Sequence, residues 1–321
     1  MIDQAQVIDR ERRRALPTAI AAMAAVALVV ASAIVLGSVN GDGEAELLRS
    51  VDRHQSAVTG SSLLQAIGFL LLLPALLYLF TAALARSTQM RSQLVGVVVA
   101  APLFLAGYSI ANGIASKDAA SDFVAGGGKA QITRQEAAAD CRDERKDNGA
   151  DTFREDFGGN SAGATFAACV KTKLADDRAQ DAVDNASAQP LAVGLGIGGR
   201  IGLAVALVYT ALYGMRTGLL TRFWGSLGMA LGVISFLVLQ FTLVWFVYLG
   251  LLIAGWVPGG RPPAWAAGEA VPWPTPGEAA DEGGETVRGS GRPLPEGPDP
   301  DAEPASPPRA RGERRKRKQR R

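Results

Sequence analysis

Few residues in this 321-residue sequence have the type and spacing that catalysis or metal binding requires. His54 is the only histidine, and Cys141 and Cys169 are the only cysteines. One imidazole excludes most metal sites, which take several nitrogen or sulfur ligands, and it removes the usual general base of a serine or cysteine nucleophile. We therefore predict no metal site, no cofactor and no enzymatic activity.

Two glycine motifs match patterns of known chemistry but lack the context that the chemistry needs. Residues 159–163, with Ser161 in the middle, match the nucleophile elbow, but no predicted strand precedes them and no histidine is near. Residues 194–199 match the dinucleotide-binding fingerprint, but they open an apolar helix instead of following a strand. Helix packing is the better interpretation, because glycines recur every four residues at 194, 198 and 202, and again at 228 and 232.

The elements that must position these residues are long apolar blocks. Residues 15–36, 63–84, 94–114 and 191–215 are each long enough to cross a hydrocarbon core of about 30 Å. Residues 223–257 contain no charged side chain and would form a helix of about 52 Å, which predicts two short spans joined by a turn near Gln240 and Thr242. The fold class is thus an all-α polytopic membrane bundle of six spans, or of five if the last block is one span plus an interfacial helix.

Arginine placement predicts the orientation of the bundle. Four arginines precede the first block, and the loops at 86–91 and 216–222 each contain two arginines and no acid. The positive-inside rule places these segments, and both termini, in the cytoplasm of a bacterial plasma membrane. The alternative for the first block is a cleaved signal peptide ending near Ala31-Ser32-Ala33, but its length and the further spans favour a retained helix.

The chain divides into residues 1–114 with three spans, an outer loop at 115–190, three closing spans at 191–257 and a tail at 258–321. The loop has helical patterns at 135–147 and 162–186 and too few hydrophobic residues for a core of its own. An oxidising compartment would allow a disulfide between Cys141 and Cys169. A pair of free thiols is the alternative.

Polar residues inside the spans are the candidates for a functional site. An arginine within a span, here Arg200, indicates a cavity, an anionic substrate or a partner, unless it snorkels to the outer surface. The further candidates for a polar cavity are Asn112, Tyr108, Tyr209, Thr210 and Gln65. The spans contain no aspartate or glutamate, which argues against proton coupling.

The tail predicts unfolded chain with a basic end. Residues 258–308 are rich in proline and glycine and hold nine acids against three basic residues. A basic end beside a membrane favours anionic lipid head groups, while nucleic acid and a simple topology anchor are alternatives; the absence of aromatic residues there makes nucleic acid the weaker one. The predicted lipid-binding residues are Arg314, Arg315, Lys316, Arg317, Lys318, Arg320 and Arg321.

Two segments resemble known bacterial proteins. The loop Arg216-Thr-Gly-Leu-Leu-Thr-Arg222, together with Gly259-Gly-Arg-Pro-Pro-Ala-Trp265 and Pro272-Trp-Pro274, resembles a family of bacterial multi-pass membrane proteins that has no assigned activity. That resemblance implies a topology with two closing spans and no chemistry, and the present chain departs from it by having almost no loop between those spans. Residues 140–170 resemble a small two-cysteine module of bacterial exported proteins.

These features predict an integral membrane protein of structural, interaction or sensory kind, with partners on both faces. The competing class is a small-solute transporter with a polar cavity between its helices.

Overall fold

The computed structural model describes residues 4–158, 161–236 and 238–273 and, within them, contains helices and no strand. The seven predicted lipid-binding residues at the end of the tail lie outside the described residues. The helices are α1 (Gln4–Leu36), α2 (Glu44–Arg53), α3 (Gln55–Arg86), α4 (Val95–Val124), α5 (Arg134–Asn148), α6 (Ala150–Phe157), α7 (Ala162–Asp184), α8 (Gln189–Arg216), α9 (Arg222–Ile234), α10 (Thr242–Ala254) and α11 (Pro263–Ala267).

Four helical segments are long and apolar enough to cross a membrane, namely α1, α3, the stretch Ser92–Val124 that contains α4, and α8. They confirm the first four apolar blocks, and each helix extends beyond the block that predicted it. Large apolar side chains remain exposed along them, including Ile20 and Ile34 on α1, Leu63 on α3, and Ile201 on α8. Exposed side chains of this kind form a belt that lipid would cover.

The order of packing follows the order of the chain. Helix α3 packs against α1 and α4, α4 against α8, α8 against α9, and α10 returns to α1. The interior between these helices is apolar and closely filled, with Phe69, Leu76, Leu105, Leu207 and Trp245 almost fully buried.

Residues 223–257 form a helical hairpin, as the sequence predicts. The Trp224 and Tyr248 rings stack with centroids 3.6 Å apart, and the Trp245 indole N–H donates to the Trp224 carbonyl at 3.1 Å, so α9 and α10 run antiparallel. The break between them begins at Ser235, a few residues before the predicted turn. Each helix has 13 residues, about 20 Å, which is shorter than a hydrocarbon core of about 30 Å.

The prediction of unfolded chain from residue 258 is wrong for residues 258–273. Helix α11 lies within them, the Trp265 side chain is 6% exposed, and its indole N–H donates to the Leu219 carbonyl at 2.9 Å. The Trp273 indole N–H donates to the Leu220 carbonyl at 2.9 Å. A proline- and glycine-rich composition was misleading here, because tryptophans supply the buried surface that such a segment otherwise lacks.

Candidate functional site

A groove with a mainly apolar lining lies between α4 and α8, and three of the predicted site residues line it. Tyr108 and Asn112 are one turn apart on α4, and Arg200 and Gln189 belong to α8. The groove encloses about 220 Å³. Asn112 is exposed and Arg200 is half-buried, so the groove opens on the side of the bundle and does not form a chamber at its centre.

Tyr209 and Thr210 do not line this groove. The Tyr209 hydroxyl accepts a hydrogen bond from the Arg91 backbone N–H at 2.8 Å, near the C-terminal end of α8, and its ring packs on Tyr213. Thr210 is fully buried and donates to the Ala206 carbonyl of its own helix at 2.6 Å. The structure thus brings Arg200 together with Tyr108 and Asn112 and not with Tyr209.

Arg200 lies about one-third of the way along the apolar part of α8. Exposed apolar residues continue above it to Leu191, about 13 Å along the helix axis. No carboxylate among the described residues forms an ion pair with Arg200. At this depth its guanidinium can reach the outer surface along the groove, which agrees with the snorkelling interpretation.

Glycines bring α4 and α8 together, and two of the three that the four-residue period predicts take part. A Cβ atom at Gly198 would lie 3.2 Å from the Phe104 ring and one at Gly202 would lie 3.1 Å from the Ala101 Cβ, whereas one at Gly194 would meet nothing within 4 Å. The period missed Gly196 and Gly199, where a Cβ atom would lie 2.9 Å from the Tyr108 ring and 3.0 Å from the Leu105 backbone nitrogen. The contact stripe is thus Gly196, Gly198, Gly199 and Gly202. The second predicted pair is confirmed, since Gly228 faces Ala211 and Trp245, and Gly232 faces Val208 and Ala204.

The loops 86–91 and 216–222 lie at one end of the bundle, which we call the arginine-bearing end. At the opposite end, residues 115–190 form a helical lobe with a disulfide between Cys141 on α5 and Cys169 on α7. The two Cα atoms are 6.1 Å apart, and both cysteines are fully buried with Ala137, Phe153 and Val170. The predicted disulfide-tied pair of helices is therefore present, and the short helix α6 and the extension of α4 to Val124 were not predicted. Closing a loop of this size stabilises the lobe by about 3–4 kcal/mol in the chain-entropy model.

Carboxylates of α7 hold the loop 125–133 against the lobe. Asp181 accepts hydrogen bonds from the Lys129 backbone N–H at 2.9 Å and from the Gln131 side chain, and Asp177 accepts from the backbone N–H of Gln131 and Ile132. The Lys129 backbone N–H, followed by the Gln131 amide, lowers the pKa of Asp181. These carboxylates therefore fix backbone and are not free to bind cations.

The remaining candidate residues have structural partners. His54 lies between α2 and α3, is exposed, and its Nδ1 is 2.9 Å from the Ser50 carbonyl. Ser161 begins α7, where its hydroxyl accepts the Ala164 N–H at 3.3 Å, while Gly159 of the same motif lies outside the described residues. Within the described ranges, no three His, Cys, Asp or Glu residues are grouped to hold a metal ion.

The arginine-bearing end contains a buried ion pair that the sequence did not predict. The Arg86 side chain is fully buried, and it forms two hydrogen bonds with the Glu11 carboxylate, which is 13% exposed; the Nη2–Oε2 distance is 2.9 Å. Arg86 also donates to the Ala264 carbonyl, and its guanidinium lies 5.6 Å from the Trp265 ring centroid. Tyr78 stacks on the same ring at 5.7 Å. Glu11, Tyr78, Arg86 and Trp265 thus join α1, α3 and α11.

Comparisons with protein-family models, with curated proteins and with solved structures find no match for this chain. The function is therefore argued from the residues themselves.

Proposed function

We propose that the chain is a multi-pass protein of the bacterial plasma membrane that acts by binding partners on its two faces and not by catalysis. This proposal is carried by α4 and α8, which each run without a break between the lobe with the disulfide and the arginine-bearing end. The C-terminal part of α4 packs against α2 and against α7 of the lobe, and α8 begins directly after the lobe. A folded lobe on a rigid stalk favours recognition in a fixed orientation.

The arginine-bearing end supports an inner face. Arg10, Arg86, Arg91, Arg216 and Arg222 all belong to segments at this end of the bundle, opposite to the disulfide. The segment 258–273 closes over the same end, with the Val271 N–H donating to the Thr217 carbonyl at 3.2 Å. Positive residues on one face and a disulfide on the other match cytoplasmic termini and an oxidising exterior.

The hairpin of α9 and α10 is proposed to enter from the inner face and return to it. Gly232, one turn before the break, contacts Ala204 of α8, so the turn reaches about the level of Arg200. That level is about 13 Å below Leu191, where the exposed apolar belt of α8 ends. We therefore favour four complete spans and a hairpin of partial depth over the six complete spans that the sequence predicted.

Site-specific photo-crosslinking in native membranes tests the proposal. A photoreactive amino acid at Gln135 probes the lobe, and one at Gln93 probes the opposite end, since both side chains are exposed. We expect each position to capture a discrete protein or ligand product that the other does not capture. Ile67, exposed within the apolar belt, is the control and should capture lipid only. The proposal fails if Gln135 and Gln93 also yield only lipid or no product.

The groove with Arg200, Asn112 and Tyr108 favours the second candidate, a small-solute transporter. A transporter needs a path through the helices, and the path from this groove would pass Ala206 and Thr210, which are buried at 1% and 0% exposure. Thiol labelling of Thr210→Cys with a water-soluble maleimide in intact and permeabilised cells separates the two candidates. Labelling would support transport, and protection on both sides would support a packed bundle.

A further inference from the structure

The outer lobe contains a second groove that is lined by four cationic side chains and no carboxylate. Arg49 of α2, Arg134 of α5, and Lys171 and Arg178 of α7 line it, and it encloses about 630 Å³. We call it the basic groove. Cavities of about 300–1,000 Å³ hold small organic ligands.

The cations of the basic groove form a positive cluster in a lobe whose net charge is negative. Residues 115–190 carry fourteen acidic and ten basic residues, so the lobe as a whole is acidic. The ion pairs of the described residues are Asp9–Arg13, Glu11–Arg86 and Glu144–Lys173, and none includes a cation of the groove. Four positive charges are thus held together without a carboxylate within ion-pair distance.

Three carboxylates of α7, the helix that supplies Lys171 and Arg178, accept backbone N–H groups. Asp177 and Asp181 accept backbone N–H groups of the loop 125–133, and Asp176 accepts the Ala45 N–H at 2.9 Å. An adjoining groove on the other side of Arg49 and Lys171 is lined by four carboxylates, Asp42, Glu46, Asp156 and Asp176. That acidic groove repels anions, so an anion near Arg49 and Lys171 is directed into the basic groove.

The apolar part of the groove has a defined shape. Phe123, from the end of α4, contacts two guanidinium groups, with Arg49 at 5.4 Å and Arg178 at 5.7 Å from the ring centroid. These cation–π contacts, together with hydrogen bonds from the Arg178 side chain to the Gly127 and Gly128 carbonyls, hold both arginines in place. Val170 and Leu174 complete an apolar wall beside the charges.

We infer that the basic groove binds a small soluble organic phosphate, with its phosphate group on the cations and its apolar body against Val170 and Leu174. Guanidinium groups match the geometry of phosphate oxygens. A cluster of several cations also suits a doubly charged phosphate group better than it suits a singly charged carboxylate ligand. Phe123 lies about 13 Å along α4 beyond Ile114, where the apolar run of the sequence ends, and Lys117, Asp118 and Asp122 follow on the same helix, so the groove stands clear of the bilayer. A soluble ligand therefore fits better than a lipid head group.

Isothermal titration calorimetry of the full chain in a non-ionic detergent tests the inference with phenyl phosphate, inorganic phosphate and phenol as probes. We expect phenyl phosphate to bind about tenfold more tightly than inorganic phosphate and phenol to give no binding heat. The double variant Arg134→Gln/Lys171→Gln should weaken phenyl phosphate binding by about tenfold or more. Both side chains are exposed, so the variant keeps the fold, which circular dichroism and non-reducing electrophoresis verify.

The matched control is Arg142→Gln/Arg154→Gln, which removes the same charge from the lobe outside the groove. Its affinity should stay within about twofold of the unmodified protein. Equal weakening in both double variants, or no heat with phenyl phosphate at millimolar concentration, would overturn the inference. Binding to a vesicle containing phosphatidic acid that is stronger than phenyl phosphate binding and is lost in Arg134→Gln/Lys171→Gln would overturn the soluble source, because vesicle binding through the basic end of the tail would persist in that variant.

This inference rests on the proposed function in one respect, namely that the lobe is a recognition surface. Its failure is distinguishable, because crosslinking at Gln135 and Gln93 does not depend on phosphate. Crosslinked partners without phenyl phosphate binding would leave the proposed function intact and reject the ligand class. Groove-specific phenyl phosphate binding without crosslinked partners would support the ligand class and reject the proposed function.

Discussion

At the scale of single residues, Arg86 shows what a charge count leaves out. The sequence assigns it to an inner loop by the positive-inside rule, and the structure places it at the arginine-bearing end. Its buried pairing with Glu11 could not be predicted, because Glu11 is 75 residues away among arginines that offer it closer partners. Only the register of α1 against α3 brings the two side chains together.

Removing the Glu11 carboxylate should destabilise the bundle strongly. Glu11→Gln leaves the Arg86 guanidinium buried without its counter-charge, a change that costs about 3–5 kcal/mol for buried pairs. Thermal unfolding in detergent measures the effect as a lowered Tm. The control is Asp9→Asn, which breaks the exposed Asp9–Arg13 pair and should cost about 0–1 kcal/mol. Similar losses in the two variants would show that the Glu11–Arg86 pair contributes no more than a surface pair.

The carboxylate of Asp181 should make the loop 125–133 sensitive to acid. Its pKa is lowered in the folded lobe by the Lys129 N–H and the Gln131 amide, so its contribution is present above the ordinary pKa of about 3.9 and is lost as the pH falls through the lower folded value. We expect the protection factor of this loop, which is the ratio of the intrinsic to the observed amide exchange rate at each pH, to fall below about pH 4. Asp181→Asn should lower the protection factor already at pH 7, while Asp184→Asn, which loses only a bond to Gln180 on the same helix, should not. An unchanged exchange rate in Asp181→Asn would contradict this role.

At the scale of elements, composition and periodicity predicted the helices well and their contacts less well. The four long spans, the closing hairpin and the helices α5 and α7 appear where apolar runs and capping residues place them. The extension of α4 to Val124 was missed, because the apolar run ends near Ile114 while the alanine-rich chain continues as helix against the lobe. Likewise, the four-residue glycine period identified Gly198 and Gly202 in the interface of α8, but it included Gly194 and missed Gly196 and Gly199.

Substituting two glycines of α8 separates close packing from helix propensity. Gly199→Ala places a methyl group 3.0 Å from the Leu105 backbone nitrogen, so α4 and α8 must move apart at a cost of about 1–3 kcal/mol. Gly194→Ala meets open space and should be neutral or stabilise by up to about 1 kcal/mol through helix propensity. Thermal unfolding of both variants in the same detergent measures the difference. Equal stability of the two would contradict the contact stripe.

At the scale of the whole molecule, segregation of charge and apolar surface defines the architecture, while single tryptophans fold the segment 258–273 onto it. The sequence predicted the bundle, the lobe and the clustering of arginine segments from block patterns alone. It did not predict the folding of 258–273 over the arginine-bearing end, because Trp265 is stabilised by the Leu219 carbonyl after α8 and by a ring and a guanidinium of α3, two parts of the chain that are far apart in sequence. The basic groove was missed for the same reason, since its cations come from three helices.

The turn of the hairpin, which contains Gln240, lies at a depth in the membrane that distinguishes a partial from a complete crossing. The turn is apolar, with Phe236 and Phe241 exposed at 48% and 56%, and the backbone N–H groups of Ser235, Phe236 and Val238 all have carbonyl partners. A turn of this kind can lie within hydrocarbon, because it leaves these donors satisfied. We therefore expect the turn to be shielded from water on both sides.

Gln240→Cys tests this expectation with a thiol that has no competitor, because the two native cysteines form the disulfide. In intact cells a membrane-impermeant maleimide should label Gln135→Cys on the lobe and leave Gln240→Cys unlabelled. After permeabilisation, Gln93→Cys should become reactive and Gln240→Cys should remain protected, because thiols react as thiolates and an apolar environment suppresses ionisation. If Gln240→Cys reacts in intact cells as readily as Gln135→Cys, the hairpin crosses the membrane fully and six spans are the correct topology, because only a complete crossing brings that turn to the outer aqueous phase.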